Sequence, residues 1–321
     1  MSHHVLSLSL SLFATAAVAS LAGSALYAAD DSTPPLVGVG KAPATTASGE
    51  TSSTHSWEMP ALTVGPATSV FEAQRIGSYG QPRWTARRLF TETRTYVIPE
   101  GQIEFEYWLS VEDAPRGNSS GDGSVKQQYE IEMGLPYRFQ VDIYQQYVKE
   151  GSTGPNELDA LKFEVRWAFA NWGVIPGNPT AYVEWEQAQS GDYDTIESKL
   201  LLCDEINDHW RWAANGVWEE KIGGDRERSR ELTGGVSYGL VDSKVAIGAE
   251  AKFGWVDTID KENGDGNPHT GDRTATEKEW LIGPSAQVRP LPQTHIDIAW
   301  LAGLNDTSPR SKFTMIAGWE F

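Results

Sequence analysis

From about Gly101 the chain alternates apolar and polar residues with a period of two. Ile103, Phe105, Tyr107, Leu109 and Val111 share one parity, and Glu104, Glu106, Ser110 and Glu112 the other. Successive side chains of a strand point to opposite faces, so this stretch predicts a strand with one apolar and one polar side. The same alternation returns over residues 129–135, 139–143, 161–169 and 183–185. It weakens over 196–202, where Leu201 joins Glu197 and Lys199 on the polar parity, and recovers over 210–218, 232–240 and 245–255. Residues 282–288, 296–302 and 313–321 complete the set. Pro284 cannot donate to a ladder, so a bulge or a distorted strand is expected there.

Each segment is about ten residues long, the length a tilted strand needs to cross hydrocarbon. The connections alternate in length. Those at 135–138, 206–209, 240–243 and 289–294 read as short turns, and those at 112–123, 149–158, 222–230 and 256–276 as longer polar loops. Short periplasmic turns and longer outer loops mark transmembrane barrels. The fold class expected is therefore all-β, an antiparallel up-and-down transmembrane β-barrel of about 12 strands. An even strand number puts both ends of the barrel on the short-turn side.

A soluble sandwich or lipocalin-like barrel would alternate too, but would turn its apolar face inward. The aromatic residues decide between the two. Thirteen tryptophans would crowd a small closed interior, whereas membrane–water interfaces accept amphipathic rings. Tyr147, Trp218, Trp255 and Trp280 fall at long-loop ends, and Phe139, Trp210 and Trp319 at short-turn ends, as two interfacial girdles would. Surrounding outer-membrane lipid is the implied partner.

Ahead of the barrel, residues 1–28 read as a signal peptide, with an apolar run from Val5 to Leu21 and small residues before the expected cleavage near Ala28. Residues 29–56, rich in Pro, Thr, Ser, Ala and Gly, read as a disordered linker. Residues 57–96 form an irregular, Arg-rich segment with Arg75, Arg83, Arg87, Arg88 and Arg94 set among aromatics. The barrel occupies residues 97–321.

The net charge of −18 argues against nucleic acid as a partner, because phosphate binding needs a basic face. One cysteine, Cys203, allows no intrachain disulfide and no Cys-rich metal site. No His/Cys/Asp grouping has zinc spacing, and the acidic loop 260–272 lacks the glutamate that ends an EF-hand loop, so it reads as a solvated loop. No metal, cofactor or catalytic group is expected. A barrel hydrolase would need a Ser–His pair at outer strand ends. His209 and His295 instead fall at short-turn ends, His269 in a long loop and His55 in the linker.

With the apolar face on lipid, the polar face lines the lumen. Glu104, Glu106, Glu130, Glu132, Glu164, Glu184 and Glu186 are the expected pore-lining acids, with Asp142 and Asp297 beside them. Arg166 and Arg211 are the expected lining bases. Glu104 and Glu106 should neighbour Glu130 and Glu132 on the next strand. Packed carboxylates repel and need cations or partners. Two readings stay open: a cation-favouring constriction, or a paired network filling a narrow barrel with Arg166 and Arg211 as counter-ions. The basic segment, through Arg75, Arg83, Arg87 and Arg88, either folds back as a plug on the acids or remains a periplasmic tail.

Two stretches carry a family resemblance. The chain ends Phe313-Thr-Met-Ile-Ala-Gly-Trp319-Glu-Phe321, which resembles the C-terminal signal by which bacterial outer-membrane proteins are recognised for barrel assembly. Residues 89–108, with Phe90-Thr-Glu-Thr and Pro99-Glu-Gly ahead of the first strand, resemble outer-membrane porin and transporter families of the phenol-degradation meta-pathway type. The resemblance implies a bacterial outer-membrane location and the barrel-assembly machinery as a partner through Phe321. It implies a pore or transporter for passive passage of small solutes, and brings no ligand residues with it. A closed structural or surface-interaction barrel is the alternative function.

Overall fold

The computed structural model describes residues 71–321 apart from 116, 118–122, 152–153, 190–192, 223–225, 243 and 260–272. The expected signal peptide, the linker, residues 57–70 of the Arg-rich segment, and the loop 260–272 lie outside the described residues.

Twelve antiparallel strands close into a barrel. They are β3 (Ile103–Glu112), β4 (Ser124–Leu135), β5 (Phe139–Glu150), β6 (Glu157–Ala168), β7 (Thr180–Ala188), β8 (Thr195–Glu205), β9 (Trp210–Lys221), β10 (Arg226–Val241), β11 (Val245–Ile259), β12 (Arg273–Val288), β13 (Thr294–Gly303) and β14 (Ser311–Glu320). Each pairs with its sequence neighbour, and β14 closes onto β3 from Lys312↔Glu112 to Glu320↔Glu104. Two short strands, β1 (Arg75–Ile76) and β2 (Gln81–Pro82), precede the barrel and pair with each other.

The apolar parity of every strand faces out. Leu232 is 56% exposed and Trp300 53%, while the intervening Glu104, Glu130, Asp142 and Glu164 are 0% exposed. In water this would be an inverted protein. In a bilayer the outward band meets lipid at no cost, and closure leaves no unpaired edge. The expected girdle residues Phe139, Trp210, Trp218 and Trp319 are among the outward, exposed rings.

Several boundaries differ from the sequence reading. The strands run from 9 to 16 residues, and β10, β11 and β12 are the long ones. Above the bilayer both faces of a strand turn polar, so alternation stops marking a ladder that continues. For the same reason the connection after Ile222 is short, since β10 already begins at Arg226. On the turn side, residues 169–179 form a longer connection, and its Trp172 packs edge-on against Trp84 and Tyr96. Pro284 makes no bulge. It pairs with Ala249 in an unshifted register, and the ladder to β13 skips Gly283 and Pro284 and then resumes in step at Ser285↔Ala299.

Residues 79–98 lie inside the lower, short-turn half of this cylinder. The segment enters near the β4–β5 turn, where the Tyr79 hydroxyl donates to the Leu135 carbonyl and accepts from the Arg138 amide. It climbs through a 3-10 turn, Arg83–Ala86, to an apex at Thr91-Glu92-Thr93. There Glu92 pairs with Lys312, near the loop end of β14. It then descends through Arg94 and Tyr96 to Gly101, whose φ of 82° suits the turn into β3 because glycine accepts that region freely. Tyr79, Trp84, Leu89, Phe90, Tyr96 and Val97 of this arm pack with Ala168, Cys203, Ala213 and Ala246 of the wall as a buried apolar core. Gly235 faces Phe90 and leaves room for its ring, for a Cβ there would stand 2.5 Å from Phe90 Cδ1.

Candidate functional site

Register turns the polar parity into one continuous feature. Glu320 lies opposite Glu104, Glu104 opposite Glu132, and Glu132 opposite Asp142. Asp142 then faces Glu164, Glu164 faces Glu184, Glu184 faces Glu197 and Glu197 faces Glu219. The inner wall thus carries an unbroken row of directly opposed carboxylates from β14 to β9. Glu106 and Glu130 form a further opposed pair one step above the row. Like charges directly across a ladder destabilise a sheet, so this row stands only with cations placed along it.

The wall supplies part of that charge. Arg166 reaches Asp142 at 2.8 Å and also pairs with Glu164. Lys162 bridges Glu184 and Glu186, and Lys199 pairs with Glu197 at 2.7 Å. The arm supplies the rest. Arg94 donates to Glu130 at 2.8 Å and to Glu132 at 3.0 Å, and reaches Glu164 at 3.4 Å. Burial opposes the charge on Arg94, but Glu130, Glu164 and Glu132 outweigh it and hold its pKa well above the ordinary guanidinium value. Arg87 pairs with Glu320, at the low end of the row, and with Glu72. Its pKa is brought down to about 10, by burial first and by Arg83 second. Arg88 stacks over the Trp108 ring at 3.9 Å and stands 3.9 Å from Glu106.

Side chains of the wall hold the backbone of the arm. Glu250 accepts the Thr91 and Glu92 amides at 3.0 and 2.8 Å. Asn215 accepts the Arg94 amide and donates back to its carbonyl, and Gln140 accepts the Ile98 amide at 2.8 Å. Gln287 donates to the Arg88 carbonyl. Buried backbone groups need partners, and these polar residues at lumen positions provide them. None of the arm's hydrogen bonds replaces a strand-to-strand bond of the barrel, whose twelve strands pair in a closed circuit.

His295 completes the arrangement. Its Nε2 lies 2.6 Å from Glu104, and its Nδ1 lies 2.5 Å from Asp297. The residue opposite is Gly318, where a Cβ would meet the imidazole at 1.9 Å. Near this group Glu104 Oε2, Glu106 Oε1 and Glu130 Oε2 are buried with no hydrogen-bond donor among the described residues.

The expected lining acids Glu104, Glu106, Glu130, Glu132, Glu164, Glu184 and Glu186 all point inward. Glu186 is the most accessible of the seven, within the upper half, where Lys126, Lys252, Lys312, Glu112 and Glu279 also face the lumen. Arg166 stands among the acids, but Arg211 does not. It is buried at the turn end of β9, with no carboxylate in salt-bridge range among the described residues. Of the four segment arginines, Arg87 and Arg88 meet lumen carboxylates. Arg75 stays at the mouth on Glu205, half exposed, and no carboxylate lies in salt-bridge range of Arg83 among the described residues. The sequence reading missed Arg94 as the centre of the charge network. His295 does lie at the short-turn end of β13, as expected, and its parity with Asp297, which was not used, already put it on the lumen face.

No protein-family model matches the chain, and no curated protein is similar to it in sequence. Solved structures are similar in fold. An outer membrane channel from Pseudomonas putida F1 superposes with a TM-score of 0.51 at 8% identity, covering 73% of this chain and 100% of that one. A NanC porin matches with a TM-score of 0.42 at 11% identity, over 68% of this chain and 98% of its own. The Omp33 outer membrane protein of Acinetobacter baumannii matches with a TM-score of 0.34 at 10% identity, over 68% and 98%. Together with its lipid-facing surface, the closed twelve-stranded architecture is that of a bacterial outer-membrane β-barrel.

Proposed function

We propose that this barrel is a passive channel for small solutes, closed in its lower half by the arm of residues 79–98 and biased toward cations by its carboxylate row. The observation that carries this reading is Arg94 on Glu130, Glu132 and Glu164. A wall built merely to be filled has no need of a row of opposed acids. An acidic wall covered by a basic arm becomes a cation path when the arm leaves, since rings of carboxylates favour cations in pores. No barrel strand pairs with the arm, which is held through side chains and by the Trp172 amide on the Tyr79 carbonyl, so its departure costs the barrel none of its ladder. Its charge-assisted bonds and apolar core set the cost of opening. Arg87, Arg88 and Arg94 are the arm's share of the charge set against the lumen acids in the closed form.

Flux into proteoliposomes tests this reading. The chain with Arg94→Met and Arg87→Met should admit small cations faster than neutral solutes of the same size, and anions slowest. Replacing Glu184 and Glu197 with Gln in that background should level the three rates. Equal rates before the Gln substitutions would remove the cation bias. No flux from any form, with the barrel still heat-modifiable on a gel, would leave a closed structural barrel, a reading that the dry packing of Trp84, Phe90 and Tyr96 favours.

A further inference from the structure

Beneath the arm the charges do not balance. Seven carboxyl groups, those of Glu104, Glu106, Glu130, Glu132, Asp142, Glu164 and Asp297, face one another across β13, β3, β4, β5 and β6. The cations within reach are Arg88, Arg94, Arg166 and, when protonated, His295. Seven against four leaves three carboxyl groups to be neutralised by protons or by an ion, because an unpaired buried charge is expensive. Arg87 is already engaged with Glu72 and Glu320, and Arg289 with Glu72.

The surplus is concentrated. One ligand atom from each of Glu104, Glu106 and His295 lies within 4.8 Å of the other two, and the same holds for Glu106, Glu130 and Glu132. Glu106 belongs to both groups. The buried oxygens without a donor, Glu104 Oε2, Glu106 Oε1 and Glu130 Oε2, fall within these two groups. The closest cationic atom to Glu106 Oε1 is the His295 Nε2 at 3.5 Å. The other oxygens of the set are occupied. Glu106 Oε2 accepts from Trp108 at 2.9 Å, Glu130 Oε1 and Glu132 Oε1 accept from Arg94, Glu132 Oε2 accepts from Gln140 at 3.0 Å, and Glu104 Oε1 lies 2.6 Å from His295 Nε2.

We propose that Glu106 and Glu130, with Glu104 and Glu132 beside them, hold a hard divalent cation of the calcium class, seated between the arm and the wall. A calcium ion sits roughly 2.3–2.6 Å from carboxylate oxygens, so oxygens up to about 5 Å apart can share it. Such an ion supplies two of the missing charges and meets the oxygens that Arg94 does not. The donors come from two adjacent strands at alternate positions, a pattern that local motif spacing does not reveal. This inference rests on the carboxylate geometry and not on transport, so it stands or falls separately from the channel reading.

Trp108 provides a built-in probe, because its indole touches Glu106 and can sensitise terbium(III), a luminescent stand-in for calcium. The full chain, refolded with calcium and desalted, should retain one calcium by elemental analysis. Loaded with terbium, it should show sensitised luminescence that calcium displaces. Trp108→Phe should lose the luminescence yet keep the calcium, whereas Glu106→Gln with Glu130→Gln should lose both. If that double variant fails to fold, Glu106→Gln alone should still lose the displaceable signal. Luminescence surviving in Trp108→Phe would put the ion elsewhere, in an acidic loop for instance. A chain that retains no calcium and folds equally well in chelator would assign the surplus to protons. Either result overturns the site.

Discussion

Asn215 holds Arg94 by its backbone from both directions, accepting its amide at 2.7 Å and donating to its carbonyl at 2.9 Å. The pair reproduces with one side chain what a neighbouring strand would otherwise supply, and it sets the guanidinium at the height of Glu130 and Glu132. Asn215→Leu leaves two buried backbone groups unpaired, at roughly 1–3 kcal/mol each. Protease cleavage within residues 79–98 should therefore speed up, with heat-modifiable migration of the barrel unchanged. An arm as resistant as in the parent chain would show that Asn215 does not hold it.

Phe90 and Gly235 form the second test. A methyl group at 235 would stand 2.5 Å from the ring, and overpacking of this kind costs about 1–3 kcal/mol. Gly235→Ala should loosen the arm, and Phe90→Ala in the same chain should relieve the clash. Protease sensitivity of the two variants, compared with Phe90→Ala alone, reads the effect. No change on Gly235→Ala would mean that the ring does not occupy that space.

Arg94→Met keeps most of the side-chain volume and removes the charge. Breaking a buried pair by deleting one partner typically costs about 3–5 kcal/mol, and here Glu130, Glu132 and Glu164 all lose a donor. The urea midpoint for release of the arm should fall sharply, more than for Arg75→Met at the exposed mouth. Similar shifts for the two would deny Arg94 its central place.

Gly318 admits the His295 ring. A Cβ at 318 meets Nε2 at 1.9 Å, and the imidazole cannot swing away without leaving Glu104 and Asp297. Gly318→Ala should lower the unfolding midpoint of the barrel, and an unchanged midpoint would contradict the wedged position of His295.

Much of this was legible in the sequence, and the limits have physical causes. Alternation assigned Ile103, Phe105 and Tyr107 to lipid and Glu104 and Glu106 to the lumen, because a strand has no other way to place them. The adjacency of Glu104 and Glu106 to Glu130 and Glu132 followed from neighbouring strands. The continuous row from Glu320 to Glu219 did not, because parity gives the face of a strand while register gives its height, and register depends on every turn. Arg94 could not be told from Arg75 or Arg83, since nothing local says which arginine of an irregular segment meets a given carboxylate. The inward position of His295 was available from its parity with Asp297 and was hidden by its nearness to a turn.

Planar-bilayer conductance of the full chain beside the chain lacking residues 71–98 tests the central claim most directly, with heat-modifiable migration confirming that both barrels have folded. The account predicts long silences broken by rare openings in the full chain, and sustained current from the shortened one. Equal current from the two would contradict closure by the arm, whatever the arm contributes to folding.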